Sequence, residues 1–271
     1  MLNNYHELRP NTRKTEIYPL VRDKKRMILL STGIACLLLL AGFSLLRAQA
    51  TDIIEVGKFS TANAGMDLFS VWKPLTFKKI KQHTSYNLVE DNGVTVVKAT
   101  SNASASGLIR KIEIDPKLYP VLTWRWKVTK IYEKGDVTKK EGDDYPARIY
   151  ITFKYEPGNL GFFEKLKYET AKTLYGEYPP IAALNYIWAS KAPEGTIVPN
   201  PYTDRTMMIV VQSGTQKLNN WVEEARNVYE DYKKAFGEEP PHISGVAIMT
   251  DSDNTKESSV AFYGDIIFRM K

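Results

Sequence analysis

The sequence predicts a mostly β fold: a single β-sandwich with two inserted helices, preceded by one apolar N-terminal helix. Short runs of β-branched and aromatic residues recur with turn residues between them, which is typical of a sandwich and not of alternating βαβ units. The chain has 271 residues, 43% of them hydrophobic, so it can bury a full core. We found no internal repeat, so one domain, residues 51–271, is expected after the N-terminal helix.

The apolar segment at residues 27–46 is twenty residues long and carries no charge. It follows Lys24-Lys25-Arg26, which predicts a bilayer-spanning helix with the lead, residues 1–26, in the cytoplasm. Ala48-Gln49-Ala50 has the form of a signal-peptidase site. Two outcomes stay open: an uncleaved anchor in the inner membrane, or cleavage after Ala50 and a soluble periplasmic protein. Either outcome places residues 51–271 outside the cytoplasm.

The net charge of +6 belongs to the N-terminal segment. Residues 1–50 hold eight of the 37 basic and three of the 31 acidic residues, which leaves 29 basic and 28 acidic residues elsewhere. A nearly neutral body argues against a nucleic-acid partner. The single cysteine, Cys36, lies in the apolar segment, so the exported part has neither a disulfide nor a thiolate metal site.

Alternating apolar residues predict the strands of the sandwich in chain order. The predicted strands cover residues 52–60, 84–89, 94–99, 108–114, 122–128, 147–155 and 206–212. Asn92-Gly93 between two apolar runs predicts a tight hairpin. In the fifth strand two indoles, Trp124 and Trp126, are expected to point inward.

Two helices are predicted within this pattern. Asn220 and Gly237 have the residue types that begin and end a helix, so we expect one from Trp221 to Phe236 with its apolar face against a sheet. The second is predicted over residues 160–175, where apolar residues and lysines are interspersed. This helix either packs on the sandwich or rests on a membrane surface.

The stretch 243–270 predicts a strand, a polar loop and a closing strand. Gly264 lies within the closing strand, where a β-bulge could reset the register. A closing strand of this form is found in jelly-roll, galactose-binding-like sandwiches, which is the finer prediction for the fold.

Several motifs together resemble one bacterial family, the domain of unknown function 3047. These motifs are Trp124-Arg125-Trp126-Lys127-Val128, Gly142 to Tyr150 (GDDYPARIY), Ala183 to Trp188 (ALNYIW), Asn200-Pro201-Tyr202 and Gly245 to Thr255 (GVAIMTDSDNT). The resemblance covers residues 55–270 and implies a secreted or cell-envelope β-rich protein without an established activity. Family members usually have glycine where this chain has Lys256, so its last loop is expected to differ in shape.

A candidate ligand site lies at Asp143, Asp144 and Arg148. The two carboxylates stand just before a strand that begins near Arg148, so a carboxylate and the guanidinium can pair at one end of the sheet. Such polar groups either fix the orientation of a sugar at the rim of the sandwich or pin the loop.

Three aromatic residues, Tyr186, Trp188 and Tyr202, are candidate platforms for sugar rings. Aromatic side chains offer a large apolar surface with a polar edge. Alternation along 183–190 equally allows the first two to be buried in the core.

A structural calcium ion is the one cofactor that the sequence suggests. Asp265 in the closing strand and Glu55 in the first strand offer carboxylate oxygens, which calcium prefers. The alternative is that Asp265 accepts hydrogen bonds from a neighbouring loop. Asp251 and Asp253 are not expected to bind calcium, because their loop lacks the glycine and the twelfth-position glutamate of an EF-hand.

The leading functional hypothesis is a non-catalytic, envelope-associated module that binds a glycan or another cell-envelope polymer. The sequence has neither a G-x-S-x-G elbow nor a glycine-rich phosphate loop. Two alternatives stay open. One is a carbohydrate-active hydrolase that uses Asp144 with a second carboxylate. The other is a protein-binding scaffold that acts through the helix at 160–175.

Overall fold

The structure is a computed structural model that describes residues 52–156, 166, 168–170, 172–173 and 178–271. The predicted lead, residues 1–26, the apolar helix at 27–46 and most of the predicted helix at 160–175 lie outside the described residues. The six described residues within 160–175 are helical. Among the residues described, we find no helix with the length and apolar character needed to span a bilayer.

The described chain contains thirteen strands, three short 3₁₀ helices and one capped α-helix. The strands are β1 (Ile53–Gly57), β2 (Lys73–Leu75), β3 (Ser85–Asp91), β4 (Val94–Asn102), β5 (Ala105–Ile114), β6 (Val121–Val128), β7 (Arg148–Phe153), β8 (Ala182–Ala189), β9 (Ile197–Asn200), β10 (Thr203–Ser213), β11 (Val222–Asn227), β12 (Ile243–Asp251) and β13 (Ser258–Arg269). The helices are α1 (Val228–Phe236) and the 3₁₀ turns Phe59–Thr61, Leu68–Ser70 and Lys140–Gly142.

The strands form two sheets. Sheet A has the order β11-β6-β13-β4-β3, and β1 pairs with the second half of β13. Sheet B has the order β2-β5-β12-β7-β8-β10-β9. The pairings are antiparallel except for β8 with β10, which run parallel. The predicted mostly β architecture with few helices is confirmed.

The core lies between the two sheets. On β6 every second side chain is buried, including both Trp124 and Trp126, as the alternation predicted. They meet aromatic side chains of β8 in sheet B: the ring centroids of Trp124 and Tyr186 are 5.3 Å apart, and those of Trp126 and Trp188 are 6.0 Å apart. This aromatic contact joins the two sheets.

The strand β8 is buried on both faces. Ile187 and Ala189 belong to a second apolar cluster with Val137 and Tyr145, which come from the segment between β6 and β7. That segment, residues 129–147, therefore covers part of the outer face of sheet B, and it carries the candidate site.

The prediction of one helix from Trp221 to Phe236 is wrong in its first half. Residues 222–227 form β11, which pairs with the otherwise open edge of β6 and is itself the edge strand of sheet A. The pairing runs from Val222 opposite Trp126 to Asn227 opposite Val121. Hydrogen bonding to that edge outweighs the helix propensity of the glutamates there. The helix α1 begins after Asn227, whose Oδ1 accepts a hydrogen bond from Glu230 N (3.1 Å). It ends at Gly237 with φ at 75°, as predicted.

Two local predictions about turns and bulges are confirmed. Asn92 and Gly93 both have positive φ, 54° and 78°, in the tight turn between β3 and β4. In β13 the pairing register with β6 shifts between Tyr263 and Ile266, around Gly264. The shift lets Tyr263 and Ile266 both point inward although they are three residues apart.

Candidate functional site

The candidate site lies on the outer face of sheet B, where β7 begins and β12 ends. A cleft of about 480 Å³ opens there, and we call it the sheet B cleft. It is lined by Phe77, Lys79, Ile80, Ala105, Asp143, Arg148, Tyr150, Asn200, Tyr202, Thr206, Met249, Asp251, Asp253 and Asn254. Four of the predicted site residues are near this point, because the loop before β7 and the turn between β9 and β10 meet at the end of β12.

Arg148 forms the buried centre of the cleft wall, with 2% of its surface exposed. Its guanidinium binds the carboxylate of Asp251 in a bidentate manner: Nε lies 2.8 Å from Oδ1, and a terminal nitrogen contacts Oδ2. The other terminal nitrogen donates to the hydroxyl of Tyr150 (3.1 Å). The plane of the guanidinium lies over the ring of Tyr145, 4.3 Å from its centroid. These contacts fix the orientation of Arg148 and satisfy most of its donors.

The predicted pairing of Arg148 with an aspartate before β7 is present in a weaker form. Asp143 Oδ1 lies 3.6 Å from the guanidinium, and the backbone carbonyl of Asp143 accepts a hydrogen bond from it (2.5 Å). The other carboxylate oxygen accepts a hydrogen bond from Asn200 Nδ2 (2.9 Å). Asp143 thus joins the loop before β7 to the end of β9, and both proposed roles, loop pinning and shaping of the cleft, fit this position.

Asp144 does not line the cleft. It is fully buried, and its two oxygens accept hydrogen bonds from the backbone N–H groups of Asn254 (3.2 Å) and Thr255 (2.5 Å). Asp144 therefore holds the loop between β12 and β13. A carboxylate in this position cannot reach a ligand in the cleft, so its assignment as a ligand-binding residue is wrong.

Burial sets the electrostatics of the remaining acids. Burial raises the pKa of Asp251, the guanidinium of Arg148 opposes this, and the negative charges of Asp144 and Asp143 add to the rise. Burial also raises the pKa of Asp143, again against the effect of Arg148. The site thus brings several carboxylates together around one buried positive charge, the guanidinium of Arg148.

Tyr202 is the aromatic residue that the structure places at the surface of the cleft. Its side chain is 57% exposed. Its hydroxyl accepts a hydrogen bond from Asn254 Nδ2 (2.8 Å), and its backbone N–H donates to Asn200 Oδ1 (3.0 Å). The ammonium of Lys140 lies 5.3 Å from the ring centroid. The ring is thus held by loops from both sides of the cleft.

Tyr186 and Trp188 are core residues, and their assignment as sugar platforms is wrong. Both are 0% exposed. The hydroxyl of Tyr186 donates to Asp231 in α1 (2.8 Å), and the indole N–H of Trp188 donates to the carbonyl of Gly214 (3.2 Å). They point between the sheets because even-numbered positions of β8 face the core, which was the alternative that the alternation allowed.

The predicted calcium ligands, Asp265 and Glu55, lie together at a different edge of the molecule. The carboxylate of Asp265 accepts hydrogen bonds from the backbone N–H (2.8 Å) and the hydroxyl (2.6 Å) of Ser60. The ammonium of Lys58 lies 3.4 Å from both carboxylates. The alternative prediction, hydrogen bonding of Asp265 to a neighbouring loop, therefore describes this contact, and Lys58 supplies the positive charge there.

A second depression continues from the sheet B cleft along the same face. It measures about 660 Å³ and shares Phe77, Tyr150 and Met249 with the cleft. Its remaining wall is mostly apolar and includes Leu75, Ile109, Tyr178, Pro180 and Ala247. The two depressions form one groove across β12 and β7, which we call the sheet B groove.

Comparison with known proteins decides the family. A family model described as a protein of unknown function (DUF3047) matches residues 70–267. The chain belongs to the DUF3047 family. No curated protein matches it. Among solved structures, the carbohydrate recognition domain of Emp47p matches with a TM-score of 0.40 and 11% identity, over 83% of this chain and all of that domain.

Sequence reasoning missed Asp251 as the main partner of Arg148 in this DUF3047 chain. The two residues are 103 positions apart, and they meet because β7 pairs with β12. A signal was present: an arginine inside an apolar strand needs a carboxylate when it is buried, and Asp251 directly follows the apolar run of β12. Asn200 and Tyr150 were missed as site residues, although both lie in motifs that resemble the DUF3047 family.

Proposed function

We propose that this protein is a non-catalytic, envelope-associated module that binds a glycan chain in the sheet B groove. The observation that carries the proposal is the continuity of the groove. The cleft, with several charged side chains and the exposed ring of Tyr202, adjoins a larger, mostly apolar depression at Phe77 and Tyr150. Binding sites for small ligands and chains commonly combine an apolar surface with a few placed polar groups.

The side chains of the groove suit sugar rings. The faces of Tyr202 and Phe77, which are 57% and 37% exposed, offer apolar contact to the C–H faces of a pyranose. Asp253 and Asn254 supply oxygen and nitrogen atoms that can bond hydroxyl groups. Arg148, in the wall itself, is held over the ring of Tyr145, and a wall fixed in this way lowers the entropy lost on binding.

The hydrolase alternative was based on Asp144, and the position of this residue does not favour a catalytic role. Asp144 is buried, and both of its oxygens accept backbone hydrogen bonds. Asp251 is bound in a bidentate manner by Arg148. Paired-carboxylate hydrolysis needs one acid free to protonate the leaving group and a second to act as base or nucleophile. The geometry of these two acids supports binding more than hydrolysis.

We further propose that the module is held outside the cytoplasmic membrane of a bacterium and does not bind nucleic acid. The apolar segment 27–46 after Lys24-Lys25-Arg26 supports export, and the near-neutral charge of residues 51–271 supports the second statement. The finer jelly-roll, galactose-binding-like description of the fold and cleavage after Ala50 are proposals too. Protease added to spheroplasts should reach the body, and a protected body would contradict export.

A glycan array probed with the purified full-length protein tests the binding proposal. We expect a set of related polysaccharides to bind, and Tyr202→Ala to abolish that binding. Phe69→Ala is the matched control, because Phe69 is also exposed (44%) but does not line the groove. Equal binding by wild type and Tyr202→Ala, or loss in Phe69→Ala alone, would contradict the assigned groove.

A further inference from the structure

Three carboxylates meet at the sheet B cleft, and two of them, Asp251 and Asp253, also line it. Asp144, Asp251 and Asp253 each offer an oxygen atom, and these atoms all lie within 4.8 Å of one another. Asp144 and Asp251 are buried and Asp253 is half-buried. Oxygen ligands on opposite sides of one calcium ion, at about 2.3–2.6 Å each, are separated by a similar distance.

The charge of this region is unbalanced. With Asp143, four carboxylates act on one another here, and Arg148 contributes one buried positive charge. Burial raises the pKa of Asp253, and the negative charge of Asp144 raises it further. Burying several like charges close together destabilises the folded state unless a cation compensates them. A divalent cation would offset two of the three remaining charges.

Two buried hydroxyl groups at the same place have no hydrogen-bond partner among the described residues. Tyr132 is 0% exposed, and its hydroxyl is unpartnered. Burial raises the pKa of Tyr132, and the negative charges of Asp251 and Asp144 add to the rise. Thr255 is 1% exposed, its Oγ1 is unpartnered, and its backbone N–H binds Asp144. Buried hydroxyls that lack partners in this way indicate a further oxygen or cation between them.

The backbone of the loop after β12 adds to this geometry. Asp251, Asp253 and Thr255 occupy alternate positions, as the first three ligands of a calcium loop do. The sharp turn at the sixth position of such a loop needs the left-handed region, which glycine usually supplies. Lys256 stands at that position here with φ at 63°. The absence of glycine therefore does not prevent the turn, which removes one of the two reasons for dismissing this loop from sequence; the other, the missing twelfth-position glutamate, stands, because Phe262 occupies that position.

We propose that Asp144, Asp251 and Asp253 bind one calcium ion, with the hydroxyl of Thr255 as a further ligand. All the donors are oxygen atoms, and calcium accepts carboxylates and neutral oxygens in irregular arrangements. Zinc would call for histidine or cysteine, and neither is in the cluster. Asp251 can take part while bound to Arg148, because each carboxylate oxygen has more than one lone pair.

Calcium at this position would order the wall of the proposed groove. The loop that holds Asp253 also holds Asn254, which donates to the hydroxyl of Tyr202 (2.8 Å) and to the carbonyl of Lys140 (2.8 Å). Asp251 and Asp253 also line the cleft, but the metal site rests on its own observations and can be measured without any glycan.

The test is calorimetric titration of chelator-treated full-length protein with calcium chloride, together with thermal melting with and without calcium. We expect one site per chain and a higher Tm with calcium, because an ion that binds only the folded state stabilises it. Asp253→Asn should lower calcium affinity by more than about tenfold, since even groups behind metal ligands have effects of that size. Thr255→Val is a second variant that removes the hydroxyl and keeps the shape.

Asp265→Asn is the matched control. Asp265 is an aspartate of the closing strand that bonds Ser60 and lies outside the cluster. The Asp265→Asn variant should leave the calcium affinity of the protein unchanged. The proposal is overturned if the wild type binds no calcium or if both cluster variants keep wild-type affinity. It is also overturned if Asp265→Asn loses binding while circular dichroism shows a folded protein. Loss of glycan binding with intact calcium binding would count against the groove alone.

Discussion

The carboxylate of Asp251 ties Arg148 to the loop that precedes it. Asp251 Oδ1 accepts a hydrogen bond from Arg148 Nε at 2.8 Å and another from the backbone N–H of Tyr145 at 3.1 Å. One carboxylate oxygen thus holds the start of β7 and residue 145 against the end of β12. Both charged groups are buried, so a variant that removes one of them should have a measurably lower free energy of unfolding.

Arg148→Met should lower the free energy of unfolding by about 3–5 kcal/mol, because it leaves Asp251 as an uncompensated buried charge. Urea denaturation of wild type and variant measures this difference. The control is Lys154→Met, which breaks an exposed ion pair with Glu113 (2.8 Å) and should cost less than about 1 kcal/mol. Equal stability of the two variants would contradict the structural role of Arg148.

Trp188→Ala should be destabilising by about 3–5 kcal/mol, because it opens a cavity between the two sheets. Tyr202→Ala should cost less than about 1 kcal/mol, because its ring is mostly exposed. Thermal melting of both variants measures the contrast. A larger effect at Tyr202 than at Trp188 would contradict the assignment of one residue to the core and the other to the surface.

Asp91 should make stability depend on pH in the acid range. The ammonium of Lys127 (2.7 Å) and then the indole N–H of Trp221 (2.7 Å) bond its carboxylate and lower its pKa below the usual value. The folded pKa is therefore below the unfolded value of about 3.9, so the stabilisation is present above about pH 4 and is lost as pH falls through the folded pKa.

Asp91→Asn should accordingly be destabilising at pH 6, by about 1–3 kcal/mol, the range for a hydrogen bond to a charged group. The difference from wild type should shrink at pH 3, because the Asp91 carboxyl of the unfolded chain, with a pKa of about 3.9, takes up a proton there more readily than that of the folded protein. Urea unfolding at the two pH values measures it. A difference that stays constant between pH 6 and pH 3 would refute the electrostatic explanation.

Gly142→Ala should destabilise the loop before β7. A Cβ atom there would lie 2.6 Å from the backbone nitrogen of Asp136 and 2.9 Å from the carbonyl of Lys134, so the backbone has to move. Gly264→Ala is the control, because its Cβ would meet the flexible side chain of Arg125 (2.5 Å). We expect Gly142→Ala to lower Tm more and to weaken glycan binding. The reverse order would contradict the tight packing of this loop.

The strands were predictable where side-chain burial alternates. In β6 the alternating sequence pattern agrees with the buried face. In β13 the bulge predicted at Gly264 coincides with the observed shift in pairing register. Residues 222–227 were not predictable in this way. Glutamates and alanine there favour a helix locally, and only the unpaired edge of β6 makes a strand the better choice.

The candidate site was predictable only where its residues lie close together in the sequence. Asp143 and Arg148 are five positions apart, so local sequence was enough to bring them together. Asp251 reaches Arg148 only through the pairing of β7 with β12, which one sequence does not reveal. Local pattern also could not separate Trp188 from Tyr202, since burial of an aromatic ring depends on which strands cover it.

The central position of β13 has a consequence for the order in which the protein can fold. This strand, residues 258–269, lies between β4, β6 and β1, which precede it by more than a hundred residues. While residues 258–269 are still inside the ribosome, sheet A lacks the strand that joins its two halves. Native contacts of this sequence separation form slowly. The sandwich therefore cannot be completed before β13 has been synthesised and released.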